Sequence, residues 1–406
     1  MTRSGTNLEH ARGYNRRLVL EIVRLQGPLG RTEIARRTGL SVQAIHNIVG
    51  DLVEAGLVRR RRAEAGGRGQ PAAEILIDPA GAYTVGISFD HRRLVTVLVD
   101  LAGSQLGLEE HSLARPDPES VLGLIGGSVG RLVRGYPVQR IWGAGVVIPA
   151  LIEQARPVSF GPSSLPEWDG FPLAETLGRR IGLPVYMEND ATAAAVGEHL
   201  HGVGQRLRDF FYIYIGVGIG AGLIVGGEPY RGASGHAGEF GHLPVVPDGL
   251  PCQCGNRGCL ERYVSLSAAQ ARLTGAPEGS EAVVPERLAE AFAAGDPTLD
   301  AWISDAAGHL RRAVTMVENL FDPERVVIGG ILPEPILDAL LARMRPLAPS
   351  VRGPRDDSAI RLSKAEVGLE TPALGAAALP LHDGLTPSFR LIAQPTPSAP
   401  AVLRVS

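Results

Sequence analysis

"GVGIGAGLIVGGEPYRGASGHAGEFGH", residues 216–242, is the stretch that most constrains the fold of this chain. It places a glycine turn between apolar, strand-like runs and ends on two polar residues, Glu239 and His242. Residues 251–261 follow as "PCQCGNRGCLE" and contain every cysteine of the 406-residue chain. Apolar strands joined by a glycine turn and followed by ligand-type side chains indicate a binding site on the loops of a folded body.

The three cysteines favour a metal site over disulfide bonds, because three cysteines cannot pair among themselves. His242 lies shortly before them, and one imidazole with three thiolates suits tetrahedral zinc. Four protein ligands would close the coordination sphere, so the ion is expected to be structural. The predicted ligands are His242, Cys252, Cys254 and Cys259. Buried free thiols or a redox pair are the alternatives.

A second group of polar residues suits a polyhydroxylated ligand. "VYMENDATAAAVGE", residues 185–198, predicts a strand that ends at Asn189 and Asp190, just before an alanine-rich helix. Ligand-facing groups commonly lie at the carboxyl ends of strands in α/β folds. With Glu239 and Glu261, these residues supply fixed acceptors and an amide. Taken singly, each is also typical of a surface charge or a helix cap.

The composition is that of a soluble globular protein with a basic amino-terminal part. Residues 1–72 hold 13 Arg and 6 acidic residues, a balance of +7, while the rest of the chain carries −10. This asymmetry suggests a polyanion-binding module joined to an acidic body. We find no apolar run of about 18 residues and no secretory signal. The few cysteines favour the reducing cytoplasm.

Residues 30–60, "GRTEIARRTGLSVQAIHNIVGDLVEAGLVRR", predict a helix-turn-helix. Two short helices flank a turn at Gly39, and Ser41 can cap the second helix. The buried side of that helix is predicted to consist of Val42, Ile45, Val49 and Leu52. Its outer side presents the residues expected to contact DNA in the major groove: Ser41, Gln43, His46 and Asn47.

The segment after the second helix predicts a two-stranded wing. Arg59 and Arg60 begin a run of four arginines, and Arg68 lies at a glycine-rich tip. Such arginines would contact phosphates and supply affinity, whereas the helix would read base edges. Turn, apolar stripe and basic wing together favour binding to double-stranded DNA. An arginine-rich helical hairpin that contacts proteins is the alternative.

From residue 81 onward, apolar strand-like runs alternate with helical segments, which indicates an α/β fold. About 300 residues are too many for one compact core, so we expect two lobes with a cleft. The predicted domains are a winged helix-turn-helix over 1–80, a first lobe over 81–198 completed by about 366–380, a second lobe with the zinc loop over 199–365, and a loosely ordered tail over 381–406.

The glycine run, the Glu-x-Gly-His element and the cysteine loop occur in an order that resembles the ROK family of bacterial sugar kinases and repressors, from about residue 81 to 380. The helix-turn-helix is similar to the repressor branch, including xylose- and N-acetylglucosamine-responsive repressors. The resemblance implies an actin-like, hexokinase-like pair of lobes, with zinc bracing the loop of Glu239. It also implies a sugar site of Asn189, Asp190, Glu239, His242 and Glu261. In the kinases, the residue matching Asp190 deprotonates the attacking hydroxyl.

This chain departs from the kinase pattern at the phosphate loop. Kinases of the family carry Asp-x-Gly-Gly-Thr, whereas this chain reads Asp90-His91-Arg92 without glycine. Without that turn nothing positions the γ-phosphate, so we expect neither ATP binding nor enzymatic activity and assign no catalytic residue, despite Asp190. Gly329 and Gly330 remain as a pair expected near an adenosine pocket. Elements that match sugar contacts also differ, at Pro149-Ala150 and Ser163-Ser164, so sugar specificity stays open.

Together these patterns predict a cytoplasmic transcription regulator, a repressor of carbohydrate-utilisation genes that a sugar or sugar derivative releases from its operator. We expect a homodimer or homotetramer on a near-palindromic operator, because paired half-sites match two-fold symmetry. No membrane contact is expected. Two alternatives stay open: a ROK-type ATP-dependent sugar kinase that carries a DNA-binding module, and a body that binds a protein partner instead of a sugar.

Overall fold

The computed structural model describes residues 8–62, 73–158, 161–279, 282–351 and 360–385. Over these ranges the chain forms an amino-terminal winged helix-turn-helix followed by a body of two lobes, each with a mixed sheet and flanking helices. Among the residues so described, no helix combines the length and the apolar character needed to cross a membrane.

The winged helix-turn-helix packs three helices against a small antiparallel sheet. Its elements are α1 (Leu8–Gln26), β1 (Leu29–Gly30), α2 (Arg31–Thr38), α3 (Val42–Glu54), β2 (Val58–Arg62) and β3 (Ala73–Ile77). Gly39 ends α2 with a φ of 70°, a left-handed conformation that glycine adopts without strain. Ser41 begins α3, because its hydroxyl accepts the Ala44 N–H at 3.2 Å. The predicted turn and cap are confirmed.

The buried side of α3 differs from the prediction at one position. Ile45, Val49 and Leu52 are buried as expected, but Val42 is 51% exposed. Val42 is the first residue of the helix, so the buried repeat of i, i+3, i+4 and i+7 begins at Ile45 and includes Ile48. The helix still has one apolar side against the core and one polar side facing solvent.

The first lobe is built on a five-stranded mixed sheet. Its elements are β4 (Tyr83–Phe89), β5 (Arg93–Asp100), β6 (Gln105–Ser112), α4 (Pro118–Leu132), β7 (Ile141–Ile148), β8 (Leu151–Glu153), β9 (Arg156–Val158), α5 (Leu173–Ile181), β10 (Val185–Asn189) and α6 (Asp190–His201). The strand order is β10-β7-β4-β5-β6. β4, β5 and β6 form an antiparallel meander, and β7 and β10 run parallel to β4.

The second lobe repeats this arrangement. Its elements are β11 (Phe210–Ile215), β12 (Ile219–Val225), β13 (Glu228–Pro229), α7 (Glu261–Val264), α8 (Leu266–Thr274), α9 (Pro285–Ala293), α10 (Pro297–Phe321), β14 (Arg325–Gly330), α11 (Glu334–Arg343) and β15 (Leu362–Lys364). The last helix, α12 (Thr371–Leu385), returns to pack on the first sheet. The strand order is β13-β12-β11-β14-β15, again with an antiparallel meander beside parallel strands. Two lobes with like sheets confirm the predicted α/β architecture.

α6 and α12 form the layer between the two sheets. α12 approaches the first sheet so closely that a Cβ at Gly145 would overlap the helix backbone. α6 approaches the second sheet in the same way at Gly222. The two helices also touch each other, because Gly375 lies directly against the Ala193 carbonyl. This close contact joins the lobes through a tightly packed helix pair.

α12 continues past the predicted start of the loosely ordered tail. The helix runs to Leu385, so the prediction of a tail from residue 381 is wrong for its first five residues. Leu381 is 4% exposed because it joins Trp142 in the hydrophobic core of the winged helix-turn-helix. Residues 386–406 lie outside the described residues, and the other domain boundaries stay predictions.

Candidate functional site

One cavity between the lobes contains all five residues predicted to bind a sugar. It lies where the carboxyl ends of β4, β7 and β10 face the glycine turn before β12. The predicted residues in its lining are Asn189, Asp190, Glu239, His242 and Glu261. Asp90, His91 and Ser163 also line it, although sequence reasoning did not assign them. Asp90 follows the end of β4, so the same strand-end rule could have found it.

Asn189 and Asp190 reach the cavity from the junction of β10 and α6. Asn189 caps α6, because its Oδ1 accepts the Thr192 N–H at 2.8 Å. Asp190 Oδ1 accepts the Ala191 N–H at 2.9 Å. Burial raises the pKa of Asp190 to about 7, and the nearby charges of Asp90 and Glu239 add to the shift. Asp190 therefore changes its charge near neutral pH.

Glu261 is held by the glycine turn that defines the fold. Its Oε2 accepts the Ile219 N–H at 3.1 Å, and a Cβ at Gly218 would overlap this carboxylate. Glycine is needed there because only a bare backbone lets the acid approach so closely. Burial raises the pKa of Glu261 to about 7. The glycine turn thus positions an acidic hydrogen-bond acceptor beside the cavity.

The predicted metal ligands lie together in the structure. His242 Nδ1 and Cys252 Sγ are 3.5 Å apart, and Cys254 Sγ and Cys259 Sγ are 3.6 Å apart. All four ligand atoms lie within 4.8 Å of one another. Zn–S bonds of about 2.3 Å in a tetrahedron place sulfurs about 3.8 Å apart, so the donor set and spacing fit a metal ion.

His242 connects the metal cluster to the cavity. Its Nδ1 faces the sulfur atoms, while its Nε2 lies 3.7 Å from Glu239 Oε2. A carboxylate at the second ring nitrogen fixes the tautomer that leaves the first nitrogen free for a metal. Burial raises the pKa of Glu239, and His236 opposes the shift. An ion in the cluster would therefore brace a cavity carboxylate through one imidazole.

An ion pair and a close approach of a histidine to a carboxylate connect the segment before Glu239 to the first lobe. Arg231 Nε donates to Glu188 Oε2 at 2.8 Å, and Glu188 is 9% exposed. His236 Nε2 lies 3.4 Å from Glu153 Oε1. Sequence reasoning missed these contacts, because each pairs residues that are far apart along the chain. They fix the position of Glu239 relative to Asp190 across the cleft.

The loop that replaces the kinase phosphate turn is closed by side chains. Asp90 Oδ1 accepts the backbone N–H groups of Arg92 and Arg93 at 2.7 and 2.9 Å. Arg92 Nη1 donates to Glu286 at 2.8 Å across the cleft, and His91 Nε2 lies 2.9 Å from the Ser164 carbonyl. The loop therefore borders an open part of the cleft with charged side chains and lacks the glycines of a phosphate-wrapping turn.

The glycine pair expected near an adenosine pocket is packed into the second lobe. A Cβ at Gly329 would overlap the Tyr212 hydroxyl and the Ala365 side chain, and one at Gly330 would overlap the Ile215 backbone. These glycines are therefore explained by close packing of β14, which removes them as support for a nucleotide site.

The residues predicted to contact bases lie on the solvent side of α3. Gln43, His46 and Asn47 are exposed, and Gln43 Nε2 donates to Asn47 Oδ1 at 3.3 Å. Ser41 is exposed as well, but its hydroxyl is engaged in capping the helix. The outer side of α3 is thus small, polar and accessible.

The predicted phosphate contacts lie on β2. Arg59 and Arg60 are exposed, whereas the neighbouring Arg61 pairs with Glu74 at 2.9 Å. Arg68 falls outside the described residues. The exposed arginines and the polar side of α3 belong to one small domain, as DNA binding requires.

Nearly the whole chain matches known protein families. Residues 84–382 match the model of the ROK family, and residues 16–69 match that of the MarR family. This chain is a member of the ROK family. A xylose repressor of Bacillus spizizenii is 26% identical to it over 368 residues, covering 90% of this chain and 94% of the relative. The DNA-binding transcriptional dual regulator NagC of Escherichia coli K12 is 25% identical over 338 residues, covering 81% and 83%.

Solved ROK structures confirm the fold. A ROK family transcriptional regulator, described as a homologue of the E. coli MLC protein, superimposes with a TM-score of 0.72 and 26% identity, covering 93% of this chain and 98% of its own. A ROK glucokinase from Streptomyces griseus, in complex with glucose and AMPPNP, gives a TM-score of 0.58 and 29% identity, covering 73% and 99%. The predicted resemblance to ROK repressors and the hexokinase-like body are both confirmed.

Proposed function

We propose that this ROK protein is a cytoplasmic transcription regulator, a repressor of carbohydrate-utilisation genes that a sugar or sugar derivative releases from operator DNA. The observation that carries the proposal is the presence, in one chain, of an exposed polar α3 and a cavity lined by Asn189, Asp190, Glu239 and Glu261. Fixed carboxylates and an amide suit the hydroxyl groups of a sugar. The xylose repressor, which aligns with 90% of this chain, and NagC, which aligns with 81%, support the same function.

A competitive selection on DNA tests the DNA-binding half of this proposal. The purified protein would be offered random duplexes, and binding of the enriched sequence would be measured by fluorescence anisotropy at several salt concentrations. We expect enrichment of a near-palindromic site, bound at least about a thousandfold more tightly than random DNA. Recovery of no preferred sequence, with metal content and folding intact, would contradict the proposal.

Asn47 and Arg60 should affect DNA binding in different ways. Asn47→Ala is expected to cost about 1–3 kcal/mol on the selected site and to relax its sequence preference, because Asn47 lies where α3 would read base edges. Arg60→Ala should weaken binding to selected and random DNA alike. It should also reduce by about one the slope of the logarithm of the affinity against the logarithm of the salt concentration. Anisotropy titrations on both DNAs measure the two affinities. Equal effects of the two variants on both DNAs would refute the assignment of Asn47 to base contacts and Arg60 to phosphate contacts.

We propose that the metal in the His242 cluster is a structural zinc ion. Three thiolates and one imidazole favour zinc over magnesium or calcium, which prefer oxygen ligands. The four donors lie within 4.8 Å, so they leave no open coordination position for chemistry. The zinc would hold His242, and His242 would hold Glu239 at the edge of the cavity.

Sugar affinity should increase with pH because of Asp190. Burial raises the pKa of Asp190 from its ordinary 3.8 to about 7, so the accepting carboxylate forms only as the pH rises through neutrality. We expect sugar affinity to rise about tenfold from pH 6 to pH 8. The folding stability of the sugar-free protein has the opposite pH dependence. An acid whose pKa is raised by folding contributes stability that is lost as the pH rises from about 4 to 7. Calorimetric titration of Asp190→Asn should show a smaller pH dependence, with the remainder due to Glu261, whose pKa is also about 7; an unchanged slope would assign the whole titration to another group.

A sugar kinase is the second candidate function, and solved ROK kinases share the fold of the body. The Asp90 loop argues against it, because it carries His91 and Arg92 where the kinases carry the glycines of a phosphate turn. We therefore propose that the protein is not an enzyme and does not use ATP. Sugar-dependent ADP formation that Asp190→Asn abolishes would establish the kinase instead.

We further propose that the regulator acts as a homodimer or homotetramer. Two copies of α3 can occupy successive major-groove half-sites only in a symmetric assembly. Mass photometry of the protein on its selected DNA gives the copy number directly. If no sugar alters DNA binding, a protein partner bound by the body becomes the alternative effector.

A further inference from the structure

α1 of the DNA-binding domain docks onto the body at a junction where three body elements meet. Arg24 of α1 lies among His199 of α6, Glu228 of β13 and Leu381 of α12. Leu381 continues into the core of the winged helix-turn-helix. We call this group the Arg24 junction. Through it, α1 contacts both the helix layer between the lobes and a hairpin of the second lobe.

Arg24 brings a positive charge into this junction. Burial lowers the pKa of Arg24, and the carboxylates of Glu21 and Glu228 oppose that shift. Its Nε has no hydrogen-bond partner within the described ranges of the chain. Arg24 in turn lowers the pKa values of His199 and His201, in addition to the larger effect of burial on both. The energy of this buried charge therefore depends on the positions of the carboxylates around it.

α6 links the junction directly to the cavity. The helix begins at Asn189 and Asp190, which line the cavity, and its last turn carries His199. Twelve helical residues span about 18 Å as a rigid rod. Close backbone contact with α12 at Gly197 and Gly375 packs α6 tightly along its length. A displacement at the amino end of α6 is therefore carried to its carboxyl end.

The β12–β13 hairpin forms a second link. β12 starts at Ile219, whose N–H is bound by the cavity residue Glu261. β13 carries Glu228 to the junction, and the chain then returns through Arg231 to Glu239 at the cavity. Both links thus have one end in the cavity and the other beside Arg24.

We propose that the Arg24 junction couples the cavity to the DNA-binding domain, with Arg24 as the positioning residue that makes α1 follow the movement of α6 and the β12–β13 hairpin relative to α12. The inference rests on the proposed function, since it requires a ligand that favours one arrangement of the lobes. α1 packs against α3, so a shift of α1 re-aims the helix that would read DNA. α6 with His199 packs on the second sheet beside Glu228, whereas Leu381 lies on α12, which packs on the first sheet, so lobe closure changes the surroundings of Arg24.

The test compares Arg24→Met with Arg140→Met. Methionine keeps the apolar stem of Arg24 and removes the charge. Arg140 joins the two parts of the chain elsewhere, lying against Gly56 and donating to the Ala80 carbonyl at 2.6 Å. For each protein, affinity for the selected DNA would be measured without sugar and with D-xylose, N-acetyl-D-glucosamine or D-glucose. Sugar affinity would be measured in parallel by calorimetry.

In the wild type, we expect one of the three sugars to change DNA affinity at least about fivefold. Arg24→Met should reduce this change to less than about twofold, while sugar affinity and sugar-free DNA affinity stay within about twofold of wild type. Arg140→Met should keep the response. A full effect of sugar on DNA affinity in Arg24→Met would overturn the coupling role and leave the proposed function in place. Loss of that effect together with loss of sugar affinity would do the same.

Two further outcomes are decisive. If Arg24→Met melts far below wild type, Glu228→Gln is tested in its place, because Glu228 contributes to the same junction from the body. Glu228→Gln should weaken the effect of sugar on DNA affinity without changing sugar affinity. An unaltered effect of sugar in Glu228→Gln would also refute the coupling. A wild type whose DNA affinity none of the three sugars alters would overturn the sugar response of the proposed function, and this inference with it.

Discussion

Cys254→Ser is expected to release the metal ion and to destabilise the second lobe. Cys254 lies 3.6 Å from Cys259, and both belong to the set of four donors that converge within 4.8 Å. Serine offers a poor ligand for zinc, and the remaining donors cannot close a tetrahedral site. Loss of a structural metal is among the few single changes that cost more than about 3 kcal/mol. For a lobe of this size, that lowers the melting temperature by about 6–12 °C.

Elemental analysis and thermal unfolding measure this prediction together. Wild type should carry one zinc per chain and Cys254→Ser close to none. Gln253→Ser is the matched control, because Gln253 is exposed between two of the ligands and donates nothing to the cluster. It should keep both metal and melting temperature. Unchanged zinc content in Cys254→Ser would refute the site.

Glu239→Gln is expected to abolish the sugar response while leaving DNA binding and zinc content intact. Glu239 lines the cavity and lies 3.7 Å from the metal-facing His242. It belongs to the body and not to the winged helix-turn-helix, so DNA binding should not depend on it directly. Hydrogen bonds to a charged group contribute about 1.5–3 kcal/mol, so sugar affinity should fall about tenfold to a hundredfold. Glutamine keeps the shape of the side chain and removes the charge that a sugar hydroxyl would use.

Glu175→Gln is the control for this change, since Glu175 lies exposed on α5 and pairs with Arg179. It should bind sugar and respond as wild type does. Calorimetry with the active sugar and anisotropy on the selected DNA separate the two readouts. A normal sugar response in Glu239→Gln would place the effector outside the cavity; a loss of zinc would show that the variant acts through the metal instead.

Features that depend on local spacing could be predicted from the sequence. The turn at Gly39, the cap at Ser41 and the convergence of the cysteine loop each follow from residues close along the chain. The alternation of strands and helices likewise predicts the two lobes. These features are encoded within a few turns or one loop, where chemistry and backbone geometry act directly.

Contacts between distant segments could not be predicted. The pairing of Glu188 with Arg231 and the docking of Arg24 depend on how the lobes and α1 come together, which no local pattern records. Gly329 shows that a glycine pattern has more than one explanation, because close packing against Tyr212 already accounts for this glycine. The burial of Leu381 could not be predicted either, because it results from packing against the winged helix-turn-helix, which is distant in the sequence.

Release of operator DNA by a sugar tests the central claim most directly. Zinc-loaded wild-type protein would be bound to its selected DNA and titrated with D-xylose, N-acetyl-D-glucosamine and D-glucose, with anisotropy as the readout. We predict that one of these sugars lowers DNA affinity at least about fivefold, and that Glu239→Gln removes the effect. Selective DNA binding that none of the sugars disturbs would contradict a sugar-responsive repressor.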